Sequence, residues 1–296
     1  MKCPKIALVL GGGGSRGLAH VGVLQVLQRE QIPIDMIVGT SMGGIVGAAY
    51  ALGMSPGEIA RGLQAAMSLS YPKVPALRDL KLFSARARQD RFGMQLKLAL
   101  GDKNFSDLRI PIILMAVDML SGKEIQLKEG ALVPALLATS AVPGLFPPVV
   151  MGRHQLADGG VIDSLATHVA HAHGARKIIA VDVHPPLASE DPWHDPVSAI
   201  VGFQLPIPSL TSGDEFLRGP TLMQAMWRSV RVMTWHLHEE RLINHPPTIL
   251  MRPDITGVGS LDFKDLDNPI AAGVAEAEKH LPALRQLLAD VPQNVP

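Results

Sequence analysis

The chain has 296 residues, enough to bury one large core or two small ones, and its 47% hydrophobic content excludes a disordered polypeptide. Twenty-seven basic residues balance 27 acidic ones, which removes the charge signature of a nucleic-acid binder but leaves apolar contact with a membrane surface open. One cysteine, Cys3, can make neither an intramolecular disulfide nor a cysteine-rich metal site.

The N-terminus carries a little positive charge, but the apolar run after it is only five residues long, too short for the core of a signal peptide. A cytoplasmic chain is expected. Ile6 to Leu10 reads as a buried strand over residues 5–10, stopped by glycine. Gly11-Gly12-Gly13-Gly14-Ser15-Arg16-Gly17 follows, and then a helix over 18–30. A second strand spans 33–38 and a second helix 43–52. Between them lies Gly39-Thr40-Ser41-Met42-Gly43. Residues 54–105 read as helical, with Arg86, Arg88 and Arg91 on what is taken as a solvated face. Further strands are predicted over 111–117 and 177–183. Two stretches free of charge, 36–57 and 130–152, are broken by glycine or proline and read as interior, not membrane spans. Residues 185–220 are proline-rich and read as a long loop. Helical spacing returns over 222–243, where Trp227 and Trp235 lie eight apart near one face. That face suits core packing better than a lipid-contacting lid. A last helix opens at Asn268-Pro269 and restarts at Pro282, ending near Ala289. Continuous apolar strands alternating with helices predict an α/β fold with a largely parallel sheet.

Gly39-x-Ser41-x-Gly43 fits a nucleophile elbow, a tight strand-to-helix turn that exposes a serine hydroxyl. The first glycine turn has two readings. It offers backbone N–H groups for an oxyanion. Gly12-x-Gly14-x-x-Gly17 also fits a dinucleotide fingerprint, with Asp35 as the ribose acid, although Asp35 falls at the start or middle of its strand. A serine nucleophile needs a base. His236, His238, His245 and His280 come late enough in the chain, but none sits in a loop-like setting. His20 reads as a packed or hydrogen-bonded histidine. Asp158-Gly159-Gly160 places a carboxylate at an open backbone corner, though an acid in such a turn is most often only a turn residue. His168, His171 and His173 do not share one helical face, and no neighbouring acid completes a metal site, so none is expected.

Taken together, the two glycine turns, Asp158-Gly159-Gly160, and Ala138-Thr139-Ser140-Ala141-Val142-Pro143-Gly144-Leu145-Phe146-Pro147-Pro148 resemble the bacterial patatin-like phospholipases. The resemblance implies a three-layer α/β/α fold over one domain, residues 1–296. The recognisable core is about 5–185, and 186–296 form a divergent loop and helical part. It implies Ser41 as nucleophile and Asp158 as general base. It also implies an oxyanion hole of Gly12, Gly13 and Gly14 with Arg16 nearby, and motif turns at Gly39, Gly43, Gly159 and Gly160. No cofactor or metal is implied. The implied partner is a lipid or other acyl ester, with possible transient membrane-surface contact and no nucleic acid. Two other readings stand beside it: a non-enzymatic lipid- or partner-binding regulator on the same fold, and a dinucleotide-binding oxidoreductase. One departure is local. The family often shows asparagine and then proline two residues on, where this chain has Ser164 and Ala166.

Overall fold

A computed structural model of the chain describes residues 5–68, 84–189, 192–193, 220, 222–259, 263 and 265–290. Cys3 and most of the loop predicted over 185–220 lie outside these residues. β1 (Ile6–Leu10) leads through a 3-10 turn at Gly14–Leu18 into α1 (Ala19–Arg29). β2 (Met36–Thr40) leads into α2 (Met42–Ala51), followed by α3 (Pro56–Ser68) and α4 (Ala85–Leu100). β3 (Ile112–Asp118), β4 (Glu124–Leu127), α5 (Leu132–Thr139), β5 (Val149–Met151) and β6 (His154–Asp158) come next. α6 (Thr167–Ala172), β7 (Lys177–Val181), α7 (Leu222–Asn244), β8 (Ile249–Met251), α8 (Asp267–Lys279) and α9 (Leu281–Asp290) complete the order.

The eight strands form one sheet in the order β5-β6-β3-β2-β1-β7-β8, with β4 also on β3. Strands β3, β2, β1, β7 and β8 run parallel; β4, β5 and β6 pair antiparallel. The sheet is therefore mixed, with a parallel body and an antiparallel flank. The fold is the three-layer α/β arrangement with a largely parallel sheet that the sequence predicted. Alternation along β1 sorts the two layers. Ile6, Leu8 and Leu10 face a core shared with α1, α2, α5, α8 and α9. Ala7 and Val9 face a smaller core with α6 and with Leu242 of α7. Every residue of β1 is buried, as a strand covered on both faces requires.

The layer of α1 is closed by α8 at unusually short range. A Cβ on Gly22 would fall 2.0 Å from the Ile270 carbonyl oxygen, and one on Gly273 would fall 2.0 Å from that of Ala19. Only hydrogen at both positions lets the two backbones approach this closely.

Three local differences from the predicted elements have physical causes. β2 starts at Met36, not at residue 33; Asp35 just before it exchanges two hydrogen bonds with Ile6, its Oδ2 accepting the Ile6 N–H (2.8 Å) and its N–H donating to the Ile6 carbonyl (3.0 Å). The charge-free stretch 130–152 divides into α5 and β5, joined by the proline-broken segment between them. α4 is not simply a solvated helix. Arg88 Nη2 donates to the Leu145 carbonyl (3.1 Å), Gln89 Nε2 to that of Pro147 (2.7 Å), and Phe92 stacks on Phe146 with centroids 5.5 Å apart. Arg86 takes the expected solvated role, in an exposed ion pair with Asp90.

Candidate active site

Parallel β1 and β2 end side by side, so the glycine turn after Leu10 and the serine turn after Thr40 meet at the carboxyl edge of the sheet. Ser41 has φ 52° and ψ −123°, a left-handed conformation that a serine holds only when its surroundings impose it. The surroundings are backbone. A Cβ on Gly43 would fall 2.2 Å from the Leu10 carbonyl oxygen, and one on Gly39 would fall 2.6 Å from Gly44 Cα. The Ser41 N–H is held by Thr139 Oγ1 (3.0 Å), and that hydroxyl donates onward to the Met115 carbonyl (2.5 Å). Thr139 is fully buried, so α5 locks the elbow from inside the core.

Asp158 arrives from the antiparallel flank. It closes β6 and pairs with Ala116, one residue beyond the Met115 that pairs with Thr40. Ser41 and Asp158 therefore lie on opposite sides of β3 at almost the same height. The Ser41 hydroxyl faces the Asp158 carboxylate closely enough to favour its ionised form. Gly160 N–H donates to Asp158 Oδ1 (2.8 Å), and Asp158 N–H donates to the Ala141 carbonyl (3.1 Å). Ser41 is 8% exposed and Asp158 5%. Burial pushes the Asp158 carboxyl up to about 6, against the hydrogen bonds from Ser41 and Gly160 that favour its ionised form.

The glycine turn lies against this pair, close enough that a Cβ on Gly12 would fall 3.3 Å from Ser41 Cβ. Its donors differ from the predicted set. The Gly12 N–H is already given to the Ser164 carbonyl (2.9 Å), so it is a tie and not an oxyanion donor. The N–H groups of Gly13 and Gly14 have no partner among the described residues. Arg16 is also turned aside: its Nε donates to the Val258 carbonyl (2.7 Å), next to the Ser15 hydroxyl donating to that of Gly259. His20 supports the turn from behind, with Nε2 donating to the Gly11 carbonyl (2.7 Å). Burial lowers this imidazole to about 4, so it stays uncharged at neutral pH.

Asp35, the ribose acid of the dinucleotide reading, sits at the amino edge of the sheet with its carboxylate spent on Ile6, at the far end of the strands from the glycine turn. A cavity of about 470 Å³ opens at that same far edge, lined by Met36, Phe105, Leu108, Pro111 and Ile112, and is no part of this site.

The expected lack of an acid near His168 was wrong: Asp163 stands five residues before it, and Glu124 reaches it from β4. Glu124, Asp163 and His168 place a donor atom each within 4.8 Å of one another. Arg241 already supplies the cation, with Nη1 on Glu124 and 3.2 Å from Asp163. Asp163 and then Glu124 push the imidazole of His168 up to about 9. His171 and His173 go elsewhere, to the Pro246 carbonyl and Gln126. Trp235 is half-buried against His184 and His238, the packing role.

Sequence reasoning gave no role to Thr139, Ser164, Asp182 or His238. The last three form a buried chain, with Ser164 Oγ 3.0 Å from His238 Nδ1 and Asp182 Oδ2 3.0 Å from His238 Nε2. His238 lay among the late histidines, but nothing local marked it, since its partners are 74 and 56 residues away.

Residues 8–171 match the family model described as patatin-like phospholipase, a span holding both Ser41 and Asp158. An uncharacterized NTE family protein of Mycobacterium tuberculosis is 30% identical over 288 residues, 96% of this chain and 47% of the relative. Patatin-like phospholipase domain-containing protein 6 of Homo sapiens is 33% identical over 181 residues, 60% of this chain and 13% of the relative. Lysophospholipase nte1 of Aspergillus fumigatus is 29% identical over 293 residues, 95% of this chain and 18% of the relative. The chain thus spans about half the length of the mycobacterial relative and a smaller share of the other two.

Proposed function

The chain belongs to the patatin-like phospholipase family, and on that premise we propose that it hydrolyses acyl esters of lipids, phospholipids or lysophospholipids, through Ser41 and Asp158. The observation that carries the reading is the pair itself: a serine in a left-handed elbow, brought across β3 to a buried carboxylate raised to about 6. Asp158 takes the Ser41 proton as Oγ attacks the ester carbonyl. Gly13 and Gly14 amides receive the oxyanion, each such donor contributing roughly 3–4 kcal/mol in known hydrolases. The protonated Asp158 gives its proton to the leaving alkoxide, and the acyl group stays on Ser41. Water then gives a proton to Asp158 and attacks the acyl-enzyme. The fatty acid leaves as Ser41 recovers its proton. A base near 6 is poised for both transfers at neutral pH.

The half-buried segment 142–148 starts next to Asp158, and Val142, Leu145 and Phe146 make it a wall for the acyl chain. β8 extends the sheet at β7 and α8 packs on α1, which supports one patatin-like domain running beyond the matched span. No described helix is long and apolar enough to cross a membrane. Contact with lipid in this reading is transient and at a surface.

The test is hydrolysis of nitrophenyl esters of increasing chain length by wild type, Ser41→Ala and Asp158→Ala. Activity lost in both variants, with an optimum chain length, supports the proposal. Turnover surviving in Ser41→Ala refutes it. A folded wild type that neither turns over nor reacts with a serine-directed phosphonate favours the regulator reading instead.

A further inference from the structure

The buried Ser164–His238–Asp182 chain reaches the reaction centre from the opposite layer. His238 belongs to α7, Asp182 follows β7, and Ser164 follows the Asp158 turn; they are 2%, 3% and 5% exposed. Asp182 is fixed from two further sides. His184 N–H donates to Oδ1 (3.0 Å), and Arg252 Nε donates to Oδ2 (3.0 Å). A neutral imidazole with a carboxylate at Nε2 carries its proton there, so that Nδ1 accepts and the Ser164 hydroxyl donates.

Ser164 meets the reaction centre through its backbone. Its carbonyl takes the Gly12 N–H, and Gly12 touches Ser41 and precedes the two unpartnered amides of Gly13 and Gly14. Other ties on the turn act before and after these donors: Gly11 to Val181 and His20, Ser15 and Arg16 to Gly259 and Val258. The Ser164 carbonyl is the tie next to the donors themselves.

We propose that His238, oriented by Asp182, is a positioning residue for the reaction at Ser41. It fixes Ser164, and Ser164 fixes the glycine turn whose free amides meet the oxyanion. The inference rests on the acyl-hydrolase reading above. It makes the seating of α7 a condition for turnover, although α7 contributes no group to the substrate.

Four variants of the full chain test it: Ser164→Ala, His238→Gln, His238→Asn and His238→Ala. Gln offers an N–H where Nε2 donates but loses Ser164. Asn offers an oxygen where Nδ1 accepts and keeps Ser164. Removing an oxyanion donor costs about 10²–10³ in kcat, so misaligning one is expected to cost about 10- to 100-fold. Ser164→Ala, His238→Gln and His238→Ala should show that loss in kcat, with KM changed less than about twofold because ground-state binding is untouched. Phosphonate labelling of Ser41 should slow in step, since it develops charge on the same oxygen. His238→Asn should recover most of the rate. The proposal is overturned if folded Ser164→Ala keeps wild-type kcat, or if His238→Asn and His238→Gln lose activity equally. Ser164→Ala decides alone if the His238 variants do not fold. The underlying reading fails differently, through turnover that survives Ser41→Ala or a wild type that the phosphonate never labels.

Discussion

Replacing Asp158 with Asn should make the protein inactive and, above pH 6, more stable. The carboxyl is buried and lies at about 6 against an ordinary 3.8, a rise caused first by burial and only partly offset by Ser41 and Gly160. At roughly 1.4 kcal/mol per unit, the ionised form costs the fold about 3 kcal/mol. The sign follows from proton linkage. Between about pH 4 and pH 6 the folded state holds a proton that the unfolded chain has released, so stability falls as pH rises. The contribution is fully present below about 4 and lost above about 6. Asn is isosteric, keeps an oxygen for the Gly160 N–H, and does not ionise. Urea unfolding of wild type and Asp158→Asn at pH 4, 6 and 8 should therefore diverge with pH, the variant gaining about 3 kcal/mol relative to wild type by pH 8. Wild-type kcat/KM should rise with pH to a plateau, half-complete near 6, since the base must be ionised. A stability difference that does not change with pH, or that favours wild type at pH 8, would refute the argument from burial.

Thr139→Val strands the Ser41 N–H and the Met115 carbonyl inside the core. It should cost about 2 kcal/mol in urea unfolding and lower kcat as the elbow loosens, whereas an unchanged unfolding midpoint would show that water replaces the hydroxyl. Gly43→Ala drives a Cβ to 2.2 Å from the Leu10 carbonyl oxygen; a loss above about 3 kcal/mol and no phosphonate labelling are expected, and wild-type labelling would contradict the contact. Ala116→Leu puts a branched side chain on the strand position paired with Asp158, on the face where that carboxylate lies. It should separate the serine from the acid and abolish hydrolysis, and turnover within about twofold of wild type would show that they do not meet over β3.

The glycine turns, the elbow and the Asp158 corner were legible in the sequence because each is local: a run of β-formers, then a glycine wherever backbone touches backbone. β1, β3 and β7 were legible as continuous apolar runs, and α7 through its helical spacing. β5 and β8 have three residues each and β4 is only half-buried, too short or too mixed to register as a period. The absence of β4 and β5 from the prediction concealed the antiparallel flank. The proposed oxyanion donors were half legible. Four glycines announce a cradle, but that Gly12 spends its amide on Ser164 depends on a segment about 150 residues later. Asp35 shows the converse: the spacing of a ribose acid, with its carboxylate used as a clamp at the wrong edge.

The position of β3 has a consequence for how the protein fails. β3 divides the sheet into a parallel half that holds Ser41 and an antiparallel half that holds Asp158. On the proposed mechanism, hydrolysis is a gauge of registry between the halves, and a slip of one ångström across that seam silences it while both halves keep their hydrogen bonds. Inactivation in mild denaturant should therefore run ahead of the loss of secondary structure, with enzymatic silence as the first sign of a sheet still intact.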